Sequence, residues 1–406
     1  MGGAVGIDYM SKKYEFLLED DNIRLHRRLD LDEDMYQYHD TATKIPHFNS
    51  SPFEKYKLLR KVGERKFSKV YKGVLLKNEN IEVAIKEINA KEIPKNVLNE
   101  MKFQINILKQ LSHASILRLV AVYEPNGVNA NYFVTMEYLK GGEILNAIIR
   151  QKRYTDDDIL FYSSQMVAGI HYLHSKGIIH GQLLPENVIL SHPNFHDRSQ
   201  NHVKIVGFEH ADWAAPSSSR RSAGKKLVVD EFLCPEIIKK WEELEPSSPT
   251  TITTSSQIRL TKESDLWSFG KILQLLLLGS LQPHPSPSPS SNYHIQHQTL
   301  SPKWTTILTE LLQPSPSRRA TATDLLDLFS SGRPNNPPSS VAGTGVADAR
   351  AIIDLSRNIP SLAEFVQNHR KSYPLIVSSG IVHFHRGNRY EEEKVFASFQ
   401  KPIARR

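Results

Sequence analysis

The sequence predicts an α+β fold in two unequal parts, a small sheet-rich amino-terminal part and a larger helical part, and three observations predict it. Between Tyr56 and Glu137 apolar residues alternate along short runs, interrupted by one stretch with helical spacing. From Asp156 onward the apolar period lengthens to that of amphipathic helices. Stretches rich in Ser, Pro and Thr interrupt only this second part.

Taken in order, residues 1–55 are charged and Tyr-rich and read as a partly disordered tail with at most one short helix. Leu58, Val62, Val70, Tyr71, Val74, Val83 and Ile85 then mark strands, broken at Asn78-Glu79-Asn80. Leu98, Met101, Ile105, Leu108 and Leu111 place a helix over about Asn96 to Leu111, and Tyr132 to Glu137 is strand-like. Ile159, Leu160, Tyr162, Met166, Ile170, Tyr172 and Leu173 outline a long helix that stops at Lys176-Gly177, where the glycine is a terminator. Leu266 to Leu278, Trp304 to Leu312 and Thr323 to Phe329 give three more. The boundaries are therefore a domain over 56–330, divided into about 56–138 and 139–330, with low-complexity insertions at about 245–257 and 283–292. Residues 331–406 read as a linker and a tail with short helices, at Ala347 to Leu355 and around Leu362, Phe365 and Val366, followed by a strand at Leu375 to Phe384. Packing back onto the domain explains that tail at least as well as partner binding does.

Composition narrows the class. With 39% apolar and 23% charged residues among 406, the chain has the make-up of a soluble globular protein. Its single cysteine, Cys234, excludes an intramolecular disulfide and a cysteine-based zinc site. The amino end does not read as a signal peptide, and the apolar run Ile272 to Leu278 is too short to span a bilayer. A reducing cytoplasmic setting is the default, with the nucleus as the alternative. The formal charge of +7 is spread over the chain without an aromatic-interleaved basic stripe, so it reads as a solvated surface and not as a nucleic-acid groove. Met1 to Gly6 has the outline of an N-myristoylation start but lacks Ser or Thr at position 6, and that modification is not expected.

Seven segments carry the chemistry, in this order. They are Gly63 to Val70; Val83-Ala84-Ile85-Lys86; His180-Gly181-Gln182-Leu183-Leu184-Pro185-Glu186-Asn187; Gly207-Phe208-Glu209; Cys234-Pro235-Glu236; Asp265-Leu266-Trp267-Ser268-Phe269-Gly270; and Arg319. The set resembles the eukaryotic protein kinase superfamily, whose catalytic loop reads His-Arg-Asp-Leu-Lys-Pro-Glu-Asn, whose metal-binding loop reads Asp-Phe-Gly, and whose activation segment ends in Ala-Pro-Glu. One such match is weak; an ordered set over 56–330 is specific. The resemblance implies the two-lobed kinase fold, α+β with a β-rich N-lobe and a larger helical C-lobe.

Phosphoryl transfer from ATP needs a backbone cradle, a cation on the phosphates, metal ligands, and a residue that takes the hydroxyl proton. Gly63 remains of the cradle, but Arg65 and Ser68 replace its second and third glycines. Lys86 supplies the cation, although the helix residue that holds it in active relatives corresponds to the uncharged Gln104. Asn187 still offers an amide oxygen to a metal, whereas Gly207 at the aspartate position offers nothing and Glu209 is a displaced carboxylate. Gln182 cannot accept a proton, and a positioned base is worth about 10²–10⁴-fold. Leu184 replaces the lysine that contacts the transferred phosphate. The degenerate positions are thus Gln182, Leu184 and Gly207.

The mechanical positions survive. The resemblance matches His180, Phe208, Leu108 and Leu119 to the four stacked side chains that join the lobes, and Asp265 to their anchor. It matches Val70, Ala84 and Ile189 to the adenine shelf, Glu143 to a ribose contact and Met136 to the guard of the rear pocket. Core packing alone also accounts for most of these. The expectation is a catalytically impaired kinase homologue, a pseudokinase acting as scaffold or allosteric regulator on a protein partner, an active kinase or its substrate. No cofactor is required; ATP, with or without magnesium, is the ligand the retained positions admit. Two other readings stay open, a divergent active Ser/Thr kinase and an ATP-binding switch without turnover.

Overall fold

Alternation along the first part builds one sheet, because each strand turns every second side chain to the same face. The computed structural model describes residues 47–48, 52–65, 67–125, 130–214, 226–228, 230–244, 251–253, 258–281, 300–330 and 353–372. The six strands are β1 (His47–Phe48), β2 (Tyr56–Arg65), β3 (Ser68–Leu75), β4 (Asn78–Ile88), β5 (Leu119–Tyr123) and β6 (Tyr132–Glu137). Their order is β1-β5-β6-β4-β3-β2, antiparallel except where β1 joins β5. β1 lies within the segment read as a tail; a two-residue edge strand is too short to leave a periodic signal.

The faces of this sheet bury two different sets. Tyr56, Val83, Ile85, Tyr123 and Phe133 form a small outer core. Val70, Ala84, Val134 and Met136 face the other way and join a core that continues through Leu108, Leu119 and Phe208 to Leu266 and Trp267 in the second lobe. Helix α1 (Lys95–Leu108) contributes Met101, Ile105 and Leu108 to it, and also buries the polar Gln104.

The second lobe is helical: α2 (Ile144–Gln151), α3 (Asp156–Ser175), α4 (Pro235–Leu244), α5 (Lys262–Leu278), α6 (Pro302–Leu311) and α7 (Ala322–Ser330). α3 opens on a capping box in which Asp158 N donates to Thr155 Oγ1 at 3.2 Å and Thr155 N donates to Asp158 Oδ2 at 2.9 Å. It ends before Gly177, whose φ of +71° is the left-handed turn the sequence marks. Arg319 donates to both Glu236 carboxylate oxygens, at 2.9 and 3.1 Å, and stacks over Trp267. Among the described residues, no helix is long and apolar enough to cross a membrane.

Two helices and a short strand went unread in the sequence, and one expectation, the helix through Leu355, is corrected. α2 and α4 went unread although both carry a helical apolar period, Ile144, Leu145, Ile148 and Ile149 in one and Ile237, Ile238 and Trp241 in the other: at 8 and 10 residues each spans only about two to three turns. The 245–257 insertion holds a short strand (Thr251–Thr253) paired antiparallel with Lys226–Val228. Within the tail, residues 353–355 are not helical, because Asp354 bridges Thr155 and its neighbours bond to Tyr154 and Asp156. A 3₁₀ turn (Ser356–Asn358) then leads into α8 (Ile359–Ser372). The 283–292 insertion, the 375–384 strand and Met1 to Gly6 lie outside the described residues.

Candidate functional site

Strand register places the first group of predicted residues. Gly63 pairs with Val70, Val70 with Lys86, and Ala84 with Met136. Directly opposed residues, and residues two apart on one strand, share a sheet face, so Val70, Ala84, Lys86 and Met136 line one surface. Ala84 and Met136 are fully buried, Val70 nearly so, and Lys86 is only 3% exposed. At the edge, β2 and β3 pair to their ends, with Arg65 opposite Ser68, so the stretch matched to the glycine-rich loop is a tight hairpin.

The opposite wall comes from a small sheet of β7 (Gly142–Glu143), β8 (Val188–Leu190) and β9 (Val203–Ile205). Glu143 pairs with Ile189 in its register, and the Glu143 carboxylate accepts from Asn146 Nδ2 at 2.7 Å. The two predicted residues are therefore neighbours.

The loop from 180 to 187 hangs on a single buried carboxylate. Asp265 accepts from His180 N at 2.9 Å and Gly181 N at 2.8 Å, and lies 2.9 Å from His174 Nε2. The His180 ring packs on Phe208 with centroids 4.9 Å apart. Its Nδ1 accepts from Gln182 N, so Nε2 carries the proton and donates to Val206 O at 2.8 Å. Burial pushes this imidazole's pKa down despite Asp265, which keeps it neutral. Leu184 is 4% exposed and belongs to the large core, so the lysine position is occupied by packing. Gln182 is half-buried, and its carbonyl accepts from Asn187 Nδ2 at 2.9 Å.

The geometry between Asn187 and Gly207 is tighter than the sequence suggested. Gly207 has φ +81°, the left-handed region that glycine enters without strain. A Cβ added there would lie 2.2 Å from Asn187 Oδ1 and 2.3 Å from its Cγ. The Asn187 amide thus fills the space a side chain at 207 would need. Gln104 Nε2 donates to Glu209 O at 3.2 Å and ties α1 to this loop, while Gln104 Oε1 is buried without a hydrogen-bond partner among the described residues. Oε1 of Glu209 is buried too. No group of three or more His, Cys, Asp or Glu is placed to hold a metal among the described residues. Mg²⁺ favours several oxygen ligands in octahedral array, and Gly207, Asn187 and the enclosed Glu209 do not fit that demand.

A protein kinase domain profile matches residues 56–328. The chain belongs to the protein kinase domain family. CBL-interacting protein kinase 33 of Oryza sativa subsp. japonica is 27% identical over 290 residues, 67% of this chain and 56% of that protein. Human serine/threonine-protein kinase ULK1 is 29% identical over 245 residues, 59% of this chain and 21% of its own length. The chain thus spans little more than half of the first relative and about a fifth of the second. The twitchin kinase fragment of C. elegans superimposes with a TM-score of 0.62 at 16% identity, covering 86% of this chain and 71% of that one, which shows the shared fold.

Within this kinase fold, two charged contacts escaped the sequence reading. Lys204, on β9 just before Gly207, pairs with Glu137 at 3.0 Å with both side chains largely buried, and Glu137 Oε1 also accepts from Arg118 N at 2.7 Å. Burial holds the Lys204 pKa below its ordinary value even though Glu137 works against this. A lysine between Val203 and Ile205 was the available signal. The second contact, Glu186 with His369 at 3.5 Å, joins residues too distant in sequence for any spacing rule.

Proposed function

We propose that this kinase-family chain is catalytically impaired and acts through its shape, as a scaffold or allosteric regulator of a protein partner such as an active kinase or its substrate. One observation carries the reading: the Asn187 amide occupies the space beside Gly207, where the family's metal-binding carboxylate would stand. The uncharged Gln182 and the buried Leu184 support it, since neither accepts a proton nor offsets charge on a transferred phosphate. The joined core and the Asp265 anchor keep the frame that a partner would recognise. A reducing compartment, the cytoplasm first, fits the single buried thiol.

A second reading, ATP binding without turnover, is favoured by the shared face of Val70, Ala84, Lys86 and Met136. The deciding experiment is thermal melting of the full chain with ATP in EDTA, in Mg²⁺ and in Mn²⁺, beside a phosphorylation assay with generic Ser/Thr substrates. A ligand that binds only the folded state raises the melting point. The impaired-scaffold reading expects no phosphate transfer and no metal-dependent shift. A metal-independent shift without transfer selects the switch. Transfer abolished by Lys86→Met means a divergent Ser/Thr kinase, and the proposal fails.

A further inference from the structure

The segment beyond the family match is bound at the edge of the candidate site. Residues 353–358 form an anchor: Ile353 N donates to Asp156 Oδ1 at 2.9 Å, Leu355 N donates to Tyr154 O at 3.0 Å, and Asn358 Nδ2 donates to Leu277 O at 2.9 Å. The last bond satisfies one of the carbonyls that the end of α5 leaves without an intrahelical donor. Beyond the anchor, α8 lies against α2 and buries Ile359, Leu362, Ala363 and Val366, the i, i+3, i+4, i+7 pattern of a helix seated in a groove.

Its far end makes the functional contact. Phe365 and His369 stack at 5.2 Å, and Phe232 meets them edge-on at 6.2 and 5.9 Å. His369 Nε2 lies 3.5 Å from Glu186 Oε1, and Asp230 and Glu231 act on the same imidazole. Glu186 belongs to the loop that carries Gln182 and Asn187, and Phe232 to the segment leading into Cys234-Pro235-Glu236. The groove therefore has an apolar floor and an acidic end.

We propose that this groove is a docking site for an amphipathic helix of a partner protein with a basic residue ten positions after its first apolar anchor, and that α8 is its resident competitor. The inference rests on the regulator reading above and names the partner chemistry. Charge complementarity argues for the occupant: the Glu186 carboxylate lies 3.5 Å from one position of the helix, and the Asp230-Glu231 segment acts on the same imidazole. The hydrogen-bonded anchor holds residues 353–358 independently of α8, so the helix can leave while the chain stays attached.

The test uses the full chain and a fluorescein-labelled synthetic peptide of residues 357–372, read by anisotropy without nucleotide. A tethered helix competes at an effective concentration of about millimolar, so wild type binds the peptide weakly. Leu362→Asp in the protein, which undocks its own α8, is expected to tighten peptide binding at least tenfold, and His369→Ala at the helix end should do so by a smaller factor. Adding Glu186→Gln to either variant, or using a His369→Ala peptide, should reverse most of the gain. Unchanged binding in both variants, or a His369→Ala peptide binding as tightly as the parent, overturns the proposal. A concentration-dependent dimer of the wild type that the peptide dissociates would assign the groove to a second copy and also overturn it. Phosphate transfer by the protein would sink the regulator reading while leaving the groove result standing, so the two failures are distinguishable.

Discussion

Restoring the family's aspartate at 207 is expected to damage the protein without activating it. Gly207→Asp places a Cβ 2.2–2.6 Å from three atoms of the Asn187 amide, so that amide must leave its place against the Gln182 carbonyl. A side chain held at φ +81° costs about 1–2 kcal/mol. The lost Asn187 to Gln182 hydrogen bond adds about 1 kcal/mol, and more where the carbonyl stays buried. A total of about 2–4 kcal/mol corresponds to roughly 4–16 °C in melting temperature for a domain near this size. Scanning fluorimetry of Gly207→Asp, Asn187→Ala and the double variant gives the answer as a cycle. The double variant should recover part of the loss, because the crowding partner is gone. Phosphorylation assays in Mg²⁺ should remain at background for all three, since Gln182 still has no proton-accepting group. A melting temperature for Gly207→Asp within about 1 °C of wild type would refute the crowding argument.

Three further outcomes follow from the charged and buried groups. Glu137→Ala leaves Lys204 without its carboxylate in the interior and should cost about 3–5 kcal/mol in urea unfolding, whereas Lys204→Met/Glu137→Leu should recover most of it; equal losses in both variants would contradict the pairing. Cys234 is buried and its thiol pKa is raised well above the usual range by that burial, so a thiol reagent should titrate none in the native protein and one in denaturant. Burial opposes charge on His369, yet Glu186, Asp230 and Glu231 outweigh it and raise its pKa above the ordinary 6.5. Burial also raises Asp230 to about 7. The His369 shift means that the docked state holds this proton more tightly, whereas docked His369 works against the rise at Asp230, so α8 docking should weaken as pH rises through the His369 value, read as faster amide exchange in 359–372 after correction for intrinsic rate; pH-independent protection would refute it.

Ordered motifs made the kinase fold legible, because Lys86, His180, Asp265 and Arg319 are chemistry-bearing residues at fixed intervals along a family pattern. α3 and α5 were legible for a different reason: at 20 and 17 residues their apolar positions recur over several turns. α2 was not, since its 8 residues span only about two turns, too short for its apolar repeat to stand out. The sequence also determined which groups the site lacks, as Gln182, Leu184 and Gly207 need no coordinates to be named. Only the tertiary structure decided that the Asn187 amide stands in the space beside Gly207, that Lys204 meets Glu137, and that His369 reaches Glu186 across 183 positions of chain (369 − 186). Those are contacts between segments whose separation is set by packing, and no local spacing along the chain encodes a distance that folding itself creates.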